Sequence, residues 1–113
     1  MIERGELWWA DLAEPRGSEP GFRHPVVVVQ ADAFNRSRIE TVVCVALTSN
    51  LRLADAPGNV VVSRGESGLP KDSVVNVSQI LTVDRAYLVE RAGKLPPRVR
   101  ERIDRGLRLA LGL

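Results

Sequence analysis

At 113 residues, 44% hydrophobic and 27% charged, the chain has the composition of one water-soluble domain, residues 1–113, with room for a single core. No apolar run approaches the ~20 residues of a membrane span. The opening Met1-Ile-Glu-Arg-Gly5 has neither the basic nor the apolar region of a signal peptide. A cytoplasmic protein with no membrane partner is therefore expected. A single cysteine, Cys44, excludes an intramolecular disulfide, and with the single histidine, His24, it falls short of the ligands a Cys/His zinc centre needs. A carboxylate-held magnesium stays open, but no acidic cluster suggests one, and no metal or other cofactor is expected. The net charge is only +2, but residues 1–57 carry six Arg/Lys against eight Asp/Glu, and residues 58–113 carry ten against six. Fourteen of the sixteen basic residues are arginine, the side chain whose planar fork suits phosphate oxygens. This balance permits a nucleic-acid partner without requiring one.

Taken in order, Gly5–Ala10 reads as a first strand, and alternation places Trp8 and Trp9 on opposite faces, one in the core and the other half exposed. Residues 11–22 are a long polar loop punctuated by Gly17, Pro20 and Gly21. Pro25–Gln30 is a second strand whose proline sits at the start, where a missing N–H is tolerated. Residues 31–39 are too polar for a buried strand and read as a loop or short helical turn. Thr41–Thr48 is a continuous, β-branched third strand. A loop then ends in the turn signal Pro57-Gly58, and Asn59–Ser63 forms a fourth strand. A turn-rich connection over residues 64–71 leads to a fifth strand, Asp72–Leu81, which alternates as a half-buried strand does. One helical turn over residues 82–87 and a short strand, Leu88–Leu95, follow.

The period then changes. Val99, Ile103, Leu107, Ala110 and Leu111 share one face of an amphipathic helix that begins at Pro96-Pro97. The fold expected is mainly β: a small curled antiparallel sheet or barrel of five to seven short strands, with short helical turns and a C-terminal α-helix packed on an open side.

The chain has no nucleophile elbow, P-loop, zinc-protease motif or telling carboxylate pair. It offers polar residues at strand ends. Arg23 and His24 enter the second strand, Thr48, Ser49 and Asn50 leave the third, and Lys71, Asp72 and Ser73 enter the fifth. In a small antiparallel barrel such ends can converge on one rim.

Several blocks resemble the MazF/PemK toxin family. They are Arg4-Gly-Glu-Leu-Trp-Trp-Ala-Asp-Leu12, Gly17-Ser-Glu-Pro-Gly21 with Pro25-Val-Val-Val-Val-Gln30, Ala46-Leu-Thr-Ser49, Gly68-Leu-Pro-Lys-Asp-Ser-Val-Val75, and Gln79-Ile-Leu-Thr-Val-Asp84. The resemblance runs in order through essentially the whole chain. It implies an SH3-like barrel with a C-terminal helix, a homodimer, and a cognate antitoxin that masks the RNA groove. It also implies a metal-independent, sequence-specific endoribonuclease acting on single-stranded RNA (mRNA).

The implied chemistry is transphosphorylation, in which the RNA 2′-OH attacks its own phosphate to give 2′,3′-cyclic phosphate and 5′-OH ends. The protein then supplies a base, an acid and donors to the phosphorane. The resemblance places these roles on Thr48 and on an arginine directly before the Pro-Val-Val run. In this chain that position is His24, with Arg23 one step earlier. Either His24 takes the acid/base role with Arg23 supplying charge, or Arg23 replaces the arginine, or the site is weakened. The resemblance further assigns RNA binding to Ser18, Glu19, Ser49, Ser73 and Gln79. The alternatives are a non-catalytic gyrase-inhibiting toxin on the same fold, or an inactive toxin remnant.

Overall fold

A computed structural model describes residues 1–14, 16–18 and 21–113. Six strands form one antiparallel sheet: β1 (Glu6–Asp11), β2 (Arg23–Val28), β3 (Thr41–Thr48), β4 (Val60–Val62), β5 (Ser73–Asp84) and β6 (Leu88–Lys94). Their spatial order is β4-β5-β3-β2-β1-β6. Three helices accompany them, α1 (Asp32–Asn35), α2 (Arg64–Ser67) and the C-terminal α3 (Pro97–Leu111), together with 3-10 turns at Leu51–Asp55 and Arg85–Tyr87.

The sheet is buried on both faces, which is why its strands read as near-continuous valine runs rather than alternating ones. One face carries Leu7, Val27, Val45, Leu47 and Val75 and is closed by Val99 and Ile103 of α3. The other carries Ala10, Val26, Val28, Val42, Cys44, Val83 and Leu88. The tryptophans divide as alternation requires, Trp9 against the first cluster and Trp8 against the second. Neither becomes the fully buried core tryptophan expected, because β1 has an apolar cluster on each side and both indoles are half-buried. Cys44 is buried, and burial pushes its thiol up to about 12, so it acts as a small core hydrophobe.

The N-terminal segment is tied to the end of the chain. Arg4 pairs with Asp104 of α3 at 2.6 Å, and its Nε donates to the Val29 carbonyl at 2.9 Å. The Glu6 carboxylate accepts from Arg91 Nε at 2.7 Å and from Trp8 Nε1 at 3.2 Å. Burial raises the Glu6 pKa, but bonds from the Glu3 N–H, Arg91 and Trp8 outweigh it and hold the carboxyl below its ordinary value.

Most element ends shift by one to three residues from the sequence reading, and four differences are informative. β2 begins at Arg23 rather than Pro25, because Asp11 and Ala10 of β1 pair with Arg23 and His24. β5 runs on to Asp84, whose carboxylate then caps the following 3-10 turn through the Ala86 N–H at 2.9 Å. The connection after β4 contains α2, started by a reciprocal capping box between Ser63 and Glu66. In α3, Val99 and Ile103 are buried and Leu107 is half-buried, but Ala110 and Leu111 are exposed. The helix is ~22 Å long, and its last turn runs past the sheet. At its closest approach a Cβ on Gly106 would lie 2.1 Å from the Gly58 carbonyl oxygen, so only glycine fits there.

Candidate active site

The site begins with a proline. Continuing the β2–β3 register from Val27↔Val45 sets Pro25 opposite Leu47. Proline has no N–H, so the Leu47 carbonyl gets no ladder bond from it. The neighbouring imidazole takes that place: His24 Nε2 lies 2.7 Å from the Leu47 carbonyl oxygen. A carbonyl only accepts, so Nε2 carries the hydrogen and Nδ1 of the neutral ring carries a lone pair. Burial lowers the His24 pKa from 6.5, and the bond to Leu47 offsets this only in part. The ring is thus held neutral, in one tautomer, at neutral pH.

Because β2 and β3 are not paired at this end, a cleft of about 340 Å³ opens between them and the loop that enters β5. Trp9, Pro25 and Leu47 form one apolar wall, and Leu69 and Pro70 form another. Its polar groups are His24, Thr48, Ser49, Lys71 and Ser73, with no carboxylate among the described lining residues. Thr48 Oγ1 accepts the Asn50 N–H at 3.1 Å, which leaves the hydroxyl hydrogen to be donated into the cleft. Ser49 is exposed, while Ser73 is buried and its Oγ donates to the Lys71 carbonyl at 3.0 Å.

Arg23 does not line this cleft. Alternation in β2 sends it the opposite way from His24. Its guanidinium lies over the Trp9 ring, 5.0 Å from the centroid, and pairs with Glu90 of β6. Ser18 lies on an exposed turn and Gln79 is half-buried in β5, beside the register shift between Val45 and Leu47; neither lines the cleft. Glu19 lies outside the described residues. Four of the eight residues proposed from sequence therefore meet in one place: His24, Thr48, Ser49 and Ser73. Lys71, named from sequence only among the polar strand ends that could share a rim, joins them, as does Trp9, which was not proposed for the site. Both lie inside motif blocks, but only the pairing of the sheet shows that they face the same opening.

Charge separates this cleft from a larger one. A cavity of about 510 Å³ near the start of the long loop is lined by Asp11, Glu14 and Asp84, with no basic residue among its described walls. It repels a polyanion, whereas the His24–Thr48 cleft admits one.

A family model described as a PemK-like, MazF-like toxin of a type II toxin–antitoxin system matches residues 3–111. The chain belongs to that family. This MazF-like toxin is 46% identical over 113 residues to a protein named endoribonuclease MazF6 from Mycobacterium tuberculosis strain H37Rv, spanning all of this chain and 99% of the relative. The same identity and coverage hold for endoribonuclease MazF2 of Mycobacterium bovis. Among solved structures, it superposes with a TM-score of 0.82 and 27% identity on an endoribonuclease in complex with its cognate antitoxin from a mycobacterial species, covering 100% of this chain and 97% of the other. It shares its fold with MazF of Deinococcus radiodurans at a TM-score of 0.80 and 23% identity, covering 99% and 97%. The MazF-like toxin therefore has the curled antiparallel sheet and C-terminal helix its sequence implies.

Proposed function

We propose that this toxin is a sequence-specific endoribonuclease that cleaves single-stranded RNA by transphosphorylation at the His24–Thr48 cleft. Its endoribonuclease activity rests on family membership and on full-length relatives that bear that name. The observation that carries the mechanism is the pairing of a neutral imidazole, fixed by Leu47, with a hydroxyl donor at the end of the adjacent strand.

His24 Nδ1 takes the proton of the substrate 2′-OH as that oxygen attacks the adjacent phosphorus. The O2′–P bond forms and the P–O5′ bond breaks. The imidazolium then returns its proton to the departing 5′ oxygen, leaving a 2′,3′-cyclic phosphate and a 5′-OH. Thr48 donates its hydroxyl hydrogen to a non-bridging oxygen as charge builds there. The nucleophile belongs to the RNA, so no activated serine or cysteine is required of the protein, in keeping with the inert, buried Cys44. The proposed reaction places no role on a metal ion. Ser49 is exposed and offers hydrogen bonds to splayed base edges, while the hydroxyl of buried Ser73, already donated to the Lys71 carbonyl, has only its oxygen left to accept one.

The chain acts in the cytoplasm as a homodimer and is inhibited by a cognate antitoxin. Support for the antitoxin comes from the family description and from the antitoxin-bound structural neighbour. A non-catalytic gyrase inhibitor is not favoured, since the full-length relatives are named endoribonucleases.

Purified protein incubated with a long RNA in EDTA is expected to give discrete cuts with 2′,3′-cyclic phosphate and 5′-OH ends. Absence of cutting across varied sequences, or a requirement for divalent metal, would overturn the proposal. Thr48→Ala should slow cleavage ~10²-fold or more, the scale of losing one oxyanion donor. Because Thr48 is only half-buried, the circular dichroism spectrum should be unchanged. A wild-type rate would remove Thr48 from the mechanism.

A further inference from the structure

His24 and Thr48 leave the negative charge of the reaction uncompensated. The attacked phosphodiester carries one negative charge, and a second develops in the phosphorane. A neutral imidazole and a hydroxyl supply a proton acceptor and a dipole but no fixed positive charge. Arg23, one residue before His24, does not line the cleft: its guanidinium lies over the ring of Trp9, at the cleft wall, and pairs with Glu90 of β6. The only permanently cationic side chain among the described residues that line the cleft is Lys71.

We infer that Lys71 is a catalytic residue of this toxin, its ammonium meeting the non-bridging phosphate oxygens where an arginine before Pro25 would otherwise act. The inference rests on the cleavage mechanism proposed above. Its structural basis is the rigidity of the segment that carries Lys71. Gly68 ends α2 in the left-handed conformation at φ 77°. Leu69 is 5% exposed, and its N–H donates to Ser67 Oγ at 3.1 Å. Pro70 fixes the next backbone angle. The Lys71 carbonyl is held by Ser73 Oγ. The backbone of Lys71 is therefore pinned on both sides while its side chain is exposed. The neighbouring carboxylate of Asp72 is engaged elsewhere, accepting the Arg64 N–H at 2.9 Å at the start of α2. A lysine suits the position because the ammonium on its flexible stem acts as a point charge and needs no matching planar fork.

The test uses the purified full chain and a short RNA carrying one mapped cleavage site. Single-turnover cleavage and binding of the same RNA with a 2′-deoxy substitution at that site are measured for the wild type and three variants. Lys71→Ala is expected to cut ~10²-fold more slowly, with binding of the uncleavable RNA weakened by a much smaller factor. Lys71→Arg should recover most of the rate, and Arg23→Ala should lose less than Lys71→Ala. Equal rates for wild type and Lys71→Ala would overturn the inference. So would a loss on Lys71→Ala confined to binding, or a loss on Arg23→Ala as large as that on Lys71→Ala. A wild-type chain that cuts no RNA defeats the proposed function itself, which separates the two failures.

Discussion

His24→Gln should slow RNA cleavage by ~10²–10⁴-fold, the contribution of a positioned general acid and base. A glutamine amide keeps a donor for the Leu47 carbonyl but has no group that takes a proton near neutral pH. The pH profile makes the test specific. Burial first, opposed by the bond to Leu47, lowers the His24 pKa below 6.5. The wild-type rate should therefore hold at pH 6.5 and fall only as the pH drops through that lowered value. The variant should lose this acid limb. A limb that persists unchanged in His24→Gln would assign the titrating group elsewhere.

The same shift acts on stability. In the unfolded chain the imidazole titrates near its ordinary 6.5, and in the folded chain lower. On acidification the unfolded state binds the proton first, so the stability supported by neutral His24 is complete above pH 6.5 and is lost as the pH falls toward the folded value. Thermal melts of wild type and His24→Gln should diverge over that interval, the wild type losing more.

The second large effect is structural. Gly68→Val is expected to destabilise the fold by roughly 2–6 kcal/mol, combining the cost of a β-branched residue at positive φ with that of overpacking. The physical cause is a near collision, since a Cβ on Gly68 would lie 2.1 Å from the Ala92 carbonyl oxygen. That oxygen belongs to the backbone of β6 and cannot swing aside as a side chain would. Urea unfolding should show a lower midpoint, and any folded fraction should cleave poorly because Leu69, Pro70 and Lys71 follow directly. A variant with an unchanged midpoint would mean that α2 and β6 do not approach as closely as described.

Much of this architecture was legible in the residues. Thr41–Thr48 matches its predicted strand end for end, because a β-branched run flanked by polar residues leaves little choice. The helical period of Val99 and Ile103 likewise located α3 and the face it buries. What escaped was set by partners distant in sequence. The extra residues of β2 exist only because β1 pairs with them, and that pairing decides that His24 and Arg23 diverge. The reach of the sheet beneath α3 decides that Leu111 stays exposed while Ile103 does not. Ser63-Arg-Gly-Glu66 is different, because its capping box is legible in local order, although the glycines and proline around it signal a turn. The candidate cleft shows the same division. Thr48 follows from the end of a clear strand, whereas the nearness of Lys71 to it depends on β5 pairing with β3, where Val74 faces Thr48.

The position of β1 also has a consequence in time. Its neighbours in the sheet are β2 and β6, so the first of the six strands in chain order needs the sixth to complete its pairing. The Glu6–Arg91 contact joins residues 85 apart, and Arg4–Asp104 joins residues 100 apart. Long-range closures of this kind are slow, because loop entropy is spent before the contacts form. Trp9, one wall of the cleft, lies on β1, whose second edge is completed only by β6. A nascent chain therefore exposes its early motifs before β6 exists and completes the cleft only once β6 has been made and paired, leaving an interval in which the toxin exists as polypeptide but not yet as an enzyme.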